Sequence, residues 1–266
     1  MRLVLGIEYD GAAFCGWQVQ VGARTVQGAL EQAVSEVADH PVSLVCAGRT
    51  DAGVHAAEQV AHFDTGQQRP QRAWTLGVNS NLPGDVNVGW VRPAPSGFHA
   101  RFSARARSYR FWIFNSPLRS ALLRQRAWWV RRPLDVAPMQ KAAACLLGEH
   151  DFSAFRAAEC QAKTAVRTVS AISVAREGSL LRVDITANAF LHHMVRNVVG
   201  TLVVVGRGDA DVAWVERVLR GADRRDAGAT AAACGLYLRR VDYPDFPQQP
   251  ASPADSSLLP LRSLTD

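Results

Sequence analysis

A chain of 266 residues, 48% of them hydrophobic and 20% charged, carries enough apolar material for one large domain or two of ordinary size. No apolar run reaches the roughly 20 residues of a membrane helix, and the first ten residues turn acidic too early for a secretory leader. The reading is a cytoplasmic, globular protein without membrane contact. The net charge of +6 favours a polyanionic partner. Only Lys141 and Lys163 among the 30 basic residues are lysine, so arginine, whose planar fork suits phosphate, supplies the charge. Codon usage in a GC-rich genome would give the same overall excess. It accounts less well for Arg101, Arg105, Arg107, Arg110, Arg119, Arg124, Arg126, Arg131 and Arg132, which follow one another without an acidic residue between them.

In chain order, the alternation of Leu3, Leu5, Ile7 and Tyr9 predicts a strand. Val26, Leu30, Ala33, Val34 and Val37 share one helical face. Strands follow at 42–46 and 59–63, then a helix over 71–79 and a strand over 86–91. The second half opens with a strand at 108–114. A helix capped by Asp135 then turns Val136, Met139, Ala143, Leu146 and Leu147 inward. Strands at 166–174 and 181–187, a helix over 191–205, a short helix at 212–219 and a strand at 236–241 complete the chain. With the short helix at 212–219 set aside, each half reads β-α-β-β-α-β, the ferredoxin-like order. The expected fold is α+β: two ferredoxin-like halves, 1–100 and 101–244, of the order seen also in RNA-recognition modules, joined into one mixed or antiparallel sheet, with helices on one face and a central cleft. Residues 245–266, rich in Pro and Ser, read as a disordered tail. The five cysteines form no Cys-x-x-Cys pair, which argues against a disulfide framework or a zinc site and for small buried thiols.

The run Ala47-Gly48-Arg49-Thr50-Asp51-Ala52-Gly53-Val54-His55 places a carboxylate in a tight loop after a strand. Most loop aspartates between glycines serve as turn or cap residues. The glycine spacing imitates a phosphate-binding loop, but Val54-His55 stands where Lys-Ser/Thr is needed. A guanidinium at Arg49 favours the ionised carboxylate that a nucleophile or general base must be. Tyr109, among arginines in a predicted strand, can stack on a base or fill a core. His192 and His193 are adjacent on a predicted helix, about 100° apart, which disfavours joint metal binding, while Arg196 falls on the face of His192. The aromatic-polar segments 98–103 and 148–155 read as loops or satellite cores.

Taken together, these segments resemble the TruA family of tRNA pseudouridine synthases. The likeness rests on the nonapeptide around Asp51, together with Gly16-Trp17-Gln18, Thr25-Val26-Gln27, Phe98-His99-Ala100-Arg101, Ser108-Tyr109-Arg110, His150-Asp151-Phe152-Ser153-Ala154-Phe155 and Phe190-Leu191-His192-His193-Met194-Val195-Arg196-Asn197 in that order. The resemblance implies that Asp51 is the catalytic residue and assigns Tyr109, Arg49, Arg196, His55 and Arg101 to substrate binding. It also implies uridine isomerisation at positions 38, 39 or 40 of the tRNA anticodon stem-loop, without cofactor or metal, by a homodimer. Ala233-Cys234-Gly235-Leu236 departs from the family pattern in lacking a proline. A non-catalytic RNA-binding module with the same duplicated fold is the alternative, and a hydrolase using Asp51 lacks a second acid, a metal cluster or a Ser-His pair.

Overall fold

The computed structural model describes residues 1–244 and 246. The expected tail at 245–266 lies outside the described residues apart from Phe246. The architecture is mixed α+β. The chain divides into two compact units, Met1–Arg105 with the segment from Tyr237 onward, and Ala106–Leu236.

In the first unit, β1 (Arg2–Tyr9) lies between β4 (Val86–Pro93) and β3 (His55–Asp64), antiparallel to both. Because it is central it buries Val4 as well as Leu3, Leu5 and Ile7, so the alternation understates how deep it sits. Helix α1 (Val26–Ala38) starts at Thr25, whose hydroxyl accepts the Gly28 N–H, and ends at Asp39 in the left-handed conformation. Helix α2 (Gln71–Asn81) buries Trp74 and Val78 and packs on α1 and β4.

The strand expected at 42–46 is only β2 (Val45–Cys46), paired with His62 and Ala61 of β3. Val42 and Leu44 are buried without extending the ladder. Their amides donate instead to α1 side chains, Val42 to Ser35 Oγ at 2.9 Å and Leu44 to Glu31 Oε1 at 2.8 Å. The last strand, β10 (Leu236–Asp242), which sequence order assigns to the second half, runs parallel to β3 through Tyr237↔His55 and Leu238↔Ala56.

In the second unit the sheet order is β5 (Ala106–Asn115), β9 (Leu180–Ala187), β8 (Val166–Glu177) and β7 (Gly148–Asp151), with β6 (Trp128–Val130) parallel on β5. Gly178, at φ +60°, makes the β8–β9 turn. Helix α3 (Val136–Ala144) is capped by Asp135 as expected and packs on β8, α4 (Met194–Gly206) and α5 (Val212–Gly221). Met139, Ala143 and Leu146 are fully buried, but Leu147 is exposed; the helix stops at Ala144, so both leucines lie beyond it. The segment expected to be a loop at 148–155 contributes β7 and a 3-10 turn, with Phe152 and Phe155 fully buried as a satellite core.

Helix α4 begins at Met194. His192 and His193 therefore precede it, and His193 occupies the left-handed region at φ 61°. The shared helical face read for His192 and Arg196 does not exist. Gly200, inside α4, lets the 228–231 segment lie against the helix: a Cβ there would stand 1.8 Å from the Ala229 carbonyl oxygen. All five cysteines are free, and only Cys46 is buried. Among the described residues no helix is long and apolar enough to cross a membrane.

Candidate active site

The first unit holds Arg49, Asp51, His55 and Arg101, and the second holds Tyr109 and Arg196. The Asp51 loop is fixed at both ends and in the middle. At its entrance, Ala47 N–H donates to the Val60 carbonyl (2.7 Å) and the fully buried Gln59 donates through Nε2 to the Gly48 carbonyl (2.6 Å). At its centre, the buried Thr50 shares a 2.7 Å hydroxyl hydrogen bond with Tyr9, and its carbonyl accepts from Trp17 N–H at 2.9 Å.

Gly16, at φ +90°, makes that approach possible, since a Cβ would lie 2.8 Å from the Thr50 carbonyl oxygen. At the exit, Val54 N–H returns to the Asp51 carbonyl (3.2 Å) and Gly53 N–H reaches the Phe14 carbonyl (3.4 Å). Asp51 is half-buried on this backbone. Preorganisation of this kind is what a reacting group requires.

Arg49 is exposed and makes no hydrogen bond or ion pair among the described residues. Its charge acts instead on Cys46. Burial pushes that thiol up to about 12, against the opposing pull of Arg49 and, more weakly, Arg101. His55 is 2% exposed and stacks on Tyr237, with ring centroids 4.5 Å apart and planes at 19°. Gly11 N–H donates to its Nδ1 (3.1 Å), and an Asp10 carboxylate oxygen lies 2.9 Å from the same atom. These contacts make His55 the anchor of the loop's end.

Arg101 is exposed in the turn 98–103. Here Ala100 N–H donates to the buried His62 Nδ1 at 3.1 Å. Burial first, then the charges of Arg2 and His99, lower His62 to about 4, against a raising influence from Asp64. The unfolded chain binds a proton near 6.5 that the folded protein refuses until about 4. Stability is therefore complete above 6.5 and lost as pH falls through that window. Melting temperature should decline between pH 6.5 and 4, and His62→Asn, which keeps an acceptor for Ala100, should flatten the decline.

In the second unit, Tyr109 is 8% exposed on β5 with its ring edge-on to Phe190 at 5.0 Å. Arg196, half-buried in the first turn of α4, donates through Nε to the Ala231 carbonyl at 2.8 Å, while Ala231 N–H returns to the Arg196 carbonyl at 3.1 Å. The next residue, Asn197, is fully buried. Its amide donates to the Phe155 carbonyl, and its oxygen accepts from Thr230 and Arg224. Spacing does not mark Asn197 or Arg224, and the side-chain partners of Asn197 lie 27 to 42 residues away in the chain.

The arginine band is not uniform. Arg110 forms a two-pronged pair with Asp184, its neighbour across the sheet, Arg132 pairs with Asp209, and Arg107 donates to the Asn188 carbonyl. Arg119, Arg124 and Arg131 are exposed and carry no hydrogen bond or ion pair among the described residues.

A partly exposed carboxylate on a fixed loop, in a chain with unspent arginines on its surface, suits nucleophilic or acid–base chemistry on an anionic substrate. The family profile described as tRNA pseudouridine synthase matches residues 6–103 and 142–244. The chain is 55% identical to a tRNA pseudouridine synthase A of Hydrogenovibrio crunogenus, over 96% of this chain and 98% of that one. It is 54% identical to one of Klebsiella pneumoniae (95% and 94% covered) and 50% identical to one of Pseudomonas aeruginosa (97% and 92%). The chain belongs to the tRNA pseudouridine synthase family.

Proposed function

We propose that Asp51 is the catalytic carboxylate with which this protein isomerises uridine to pseudouridine in tRNA. The observation that carries this is the loop itself, which pins the backbone on both sides of Asp51 while leaving its side chain partly accessible. The reaction breaks the C1′–N1 glycosidic bond, turns the uracil and forms C1′–C5, with the C5 proton lost to solvent and one regained at N1. Hydrolysis and net redox change are absent, so the chemistry asks for no cofactor. Asp51 serves by attacking C1′, by adding to the ring or by taking the C2′ proton.

Arg49, Arg101, Arg196 and Tyr109 are the substrate-binding residues of this reading, and His55 acts through the loop it anchors. The two units are taken as ferredoxin-like halves, the target as uridines 38, 39 and 40 of the anticodon stem-loop, and the working form as a cytoplasmic homodimer. The test is tritium release from unmodified tRNA labelled at uridine C5, with the modified positions mapped by reverse-transcription stops. Release confined to 38–40 is expected, and no release overturns the proposal.

The unpaired arginines of the second unit supply phosphate contacts. Binding of tRNA should weaken steeply with salt. Replacing Arg119, Arg124 and Arg131 together by alanine should reduce the slope of log Kd against log salt by about 2, at roughly 0.7 to 0.9 per phosphate contact. An unchanged slope in filter binding would remove these residues from the interface.

A further inference from the structure

The turn 98–103 presents one large aromatic ring to solvent on a hydrogen-bonded backbone. Phe98 and Ala100 are buried, whereas Phe102 is 77% exposed. The backbone amides around it are engaged. His99 Nδ1 accepts from both Arg101 N–H and Phe102 N–H at 3.2 Å, and His99 N–H donates to Ser103 Oγ at 2.9 Å. Ser103 N–H closes the turn on the His99 carbonyl (2.9 Å), and the Ala100 carbonyl accepts from Tyr243 Oη at 2.6 Å.

The Phe102 ring stacks on the His99 imidazole, centroids 4.3 Å apart and planes at 25°. The Arg101 guanidinium carbon lies 5.7 Å from the ring centroid. His99 thus covers one ring face, and the residue still keeps 77% of its surface exposed.

We propose that Phe102, backed by His99 and flanked by Arg101, is a stacking platform for an unpaired RNA base next to the target uridine. This rests on the reading of Asp51 as the reacting group. Extracting a uridine from its stack leaves its neighbours without a partner on one side, and an aromatic face replaces that partner whatever the base. A rigid platform loses little entropy when the base arrives. The platform is also tied to the strand that leads into the Asp51 loop, because Ala100 N–H donates to His62 Nδ1 at 3.1 Å and His62 pairs with Val45 of β2. Arg101 and Arg105, both exposed, give the surroundings a positive character that fits RNA better than a second, equally basic copy of the chain.

The experiment compares wild type, Phe102→Ala and Phe102→Trp on an unmodified tRNA transcript. Phe102→Ala should raise Kd and KM about 10-fold without changing the salt slope, since a stacked base is worth roughly that much in affinity. Phe102→Trp should bind within about twofold of wild type, and its added emission, read against the seven native tryptophans, should be quenched by RNA. Unchanged Kd in Phe102→Ala, or no added quenching in Phe102→Trp, overturns the platform. A shift of Phe102→Ala to lower mass in sedimentation without RNA assigns the ring to a contact between copies and also overturns it. If Asp51→Ala retains tritium release, the active-site reading fails separately. An indifferent Phe102→Ala beside an active wild type fails the platform alone.

Discussion

Asp51→Ala is expected to lose at least about 10³-fold in turnover, the scale of removing a nucleophile or general base from a preorganised site. tRNA affinity should stay within a few-fold of wild type. Single-turnover tritium release reads the first quantity and filter binding the second. The expectation of intact binding follows from the loop: its positions are held by Tyr9, Trp17, Gln59 and Phe14 through backbone atoms and Thr50, none of which the substitution touches. Asp51→Asn, of nearly the same volume, should be as inactive as alanine, which separates loss of the ionisable oxygen from loss of packing. Substantial turnover in either variant would transfer the chemistry to another residue.

Gly200→Ala should destabilise the fold by about 3 kcal/mol, the upper range for overpacking against rigid backbone. In an exposed helix the same change stabilises by roughly 1 kcal/mol, so the sign itself is diagnostic. The added methyl would lie 1.8 Å from the Ala229 carbonyl oxygen and 3.4 Å from Ala231 N. The 228–231 segment cannot retreat cheaply. Gly228 N–H donates to Thr201 Oγ1, and Ala231 exchanges hydrogen bonds with Arg196. A fall in melting temperature of roughly 10 °C is the corresponding signal for a domain of this size. Loss of the Arg196–Ala231 latch should lower activity in the fraction that still folds.

Periodicity in the sequence located the elements whose burial repeats regularly. The helices at Val26–Ala38 and Val136–Ala144, and the strands carrying Leu3–Tyr9 and Leu181–Ala187, lie where spacing and caps place them. What spacing cannot encode is a partner distant in the chain. Arg110 looks like one more free charge until strand pairing sets Asp184 opposite it. Val42 and Leu44 read as strand because they are apolar, while their amides are claimed by Ser35 and Glu31. The start of α4 was misplaced because Leu191, Met194, Val195 and Val198 keep helical spacing across the left-handed break at His193. Asp51 and its loop were legible as a motif, but its support by Thr50 and Gln59 was not, because neither residue is distinctive by itself.

The pairing of β10 with β3 has a consequence for how the protein comes into being. His55, at the end of the Asp51 loop, finds its stacking partner in Tyr237, which leaves the ribosome some 180 residues later. The first unit is therefore discontinuous, interrupted by the whole of the second, and it cannot close until nearly all of the described chain has been made. A nascent chain halted after the second unit carries the Asp51 loop without the aromatic that backs its anchor. Completion of the Asp51 loop's surroundings is thus a terminal event of synthesis, and a chain cut short before Tyr237 leaves the motif present and its setting unfinished.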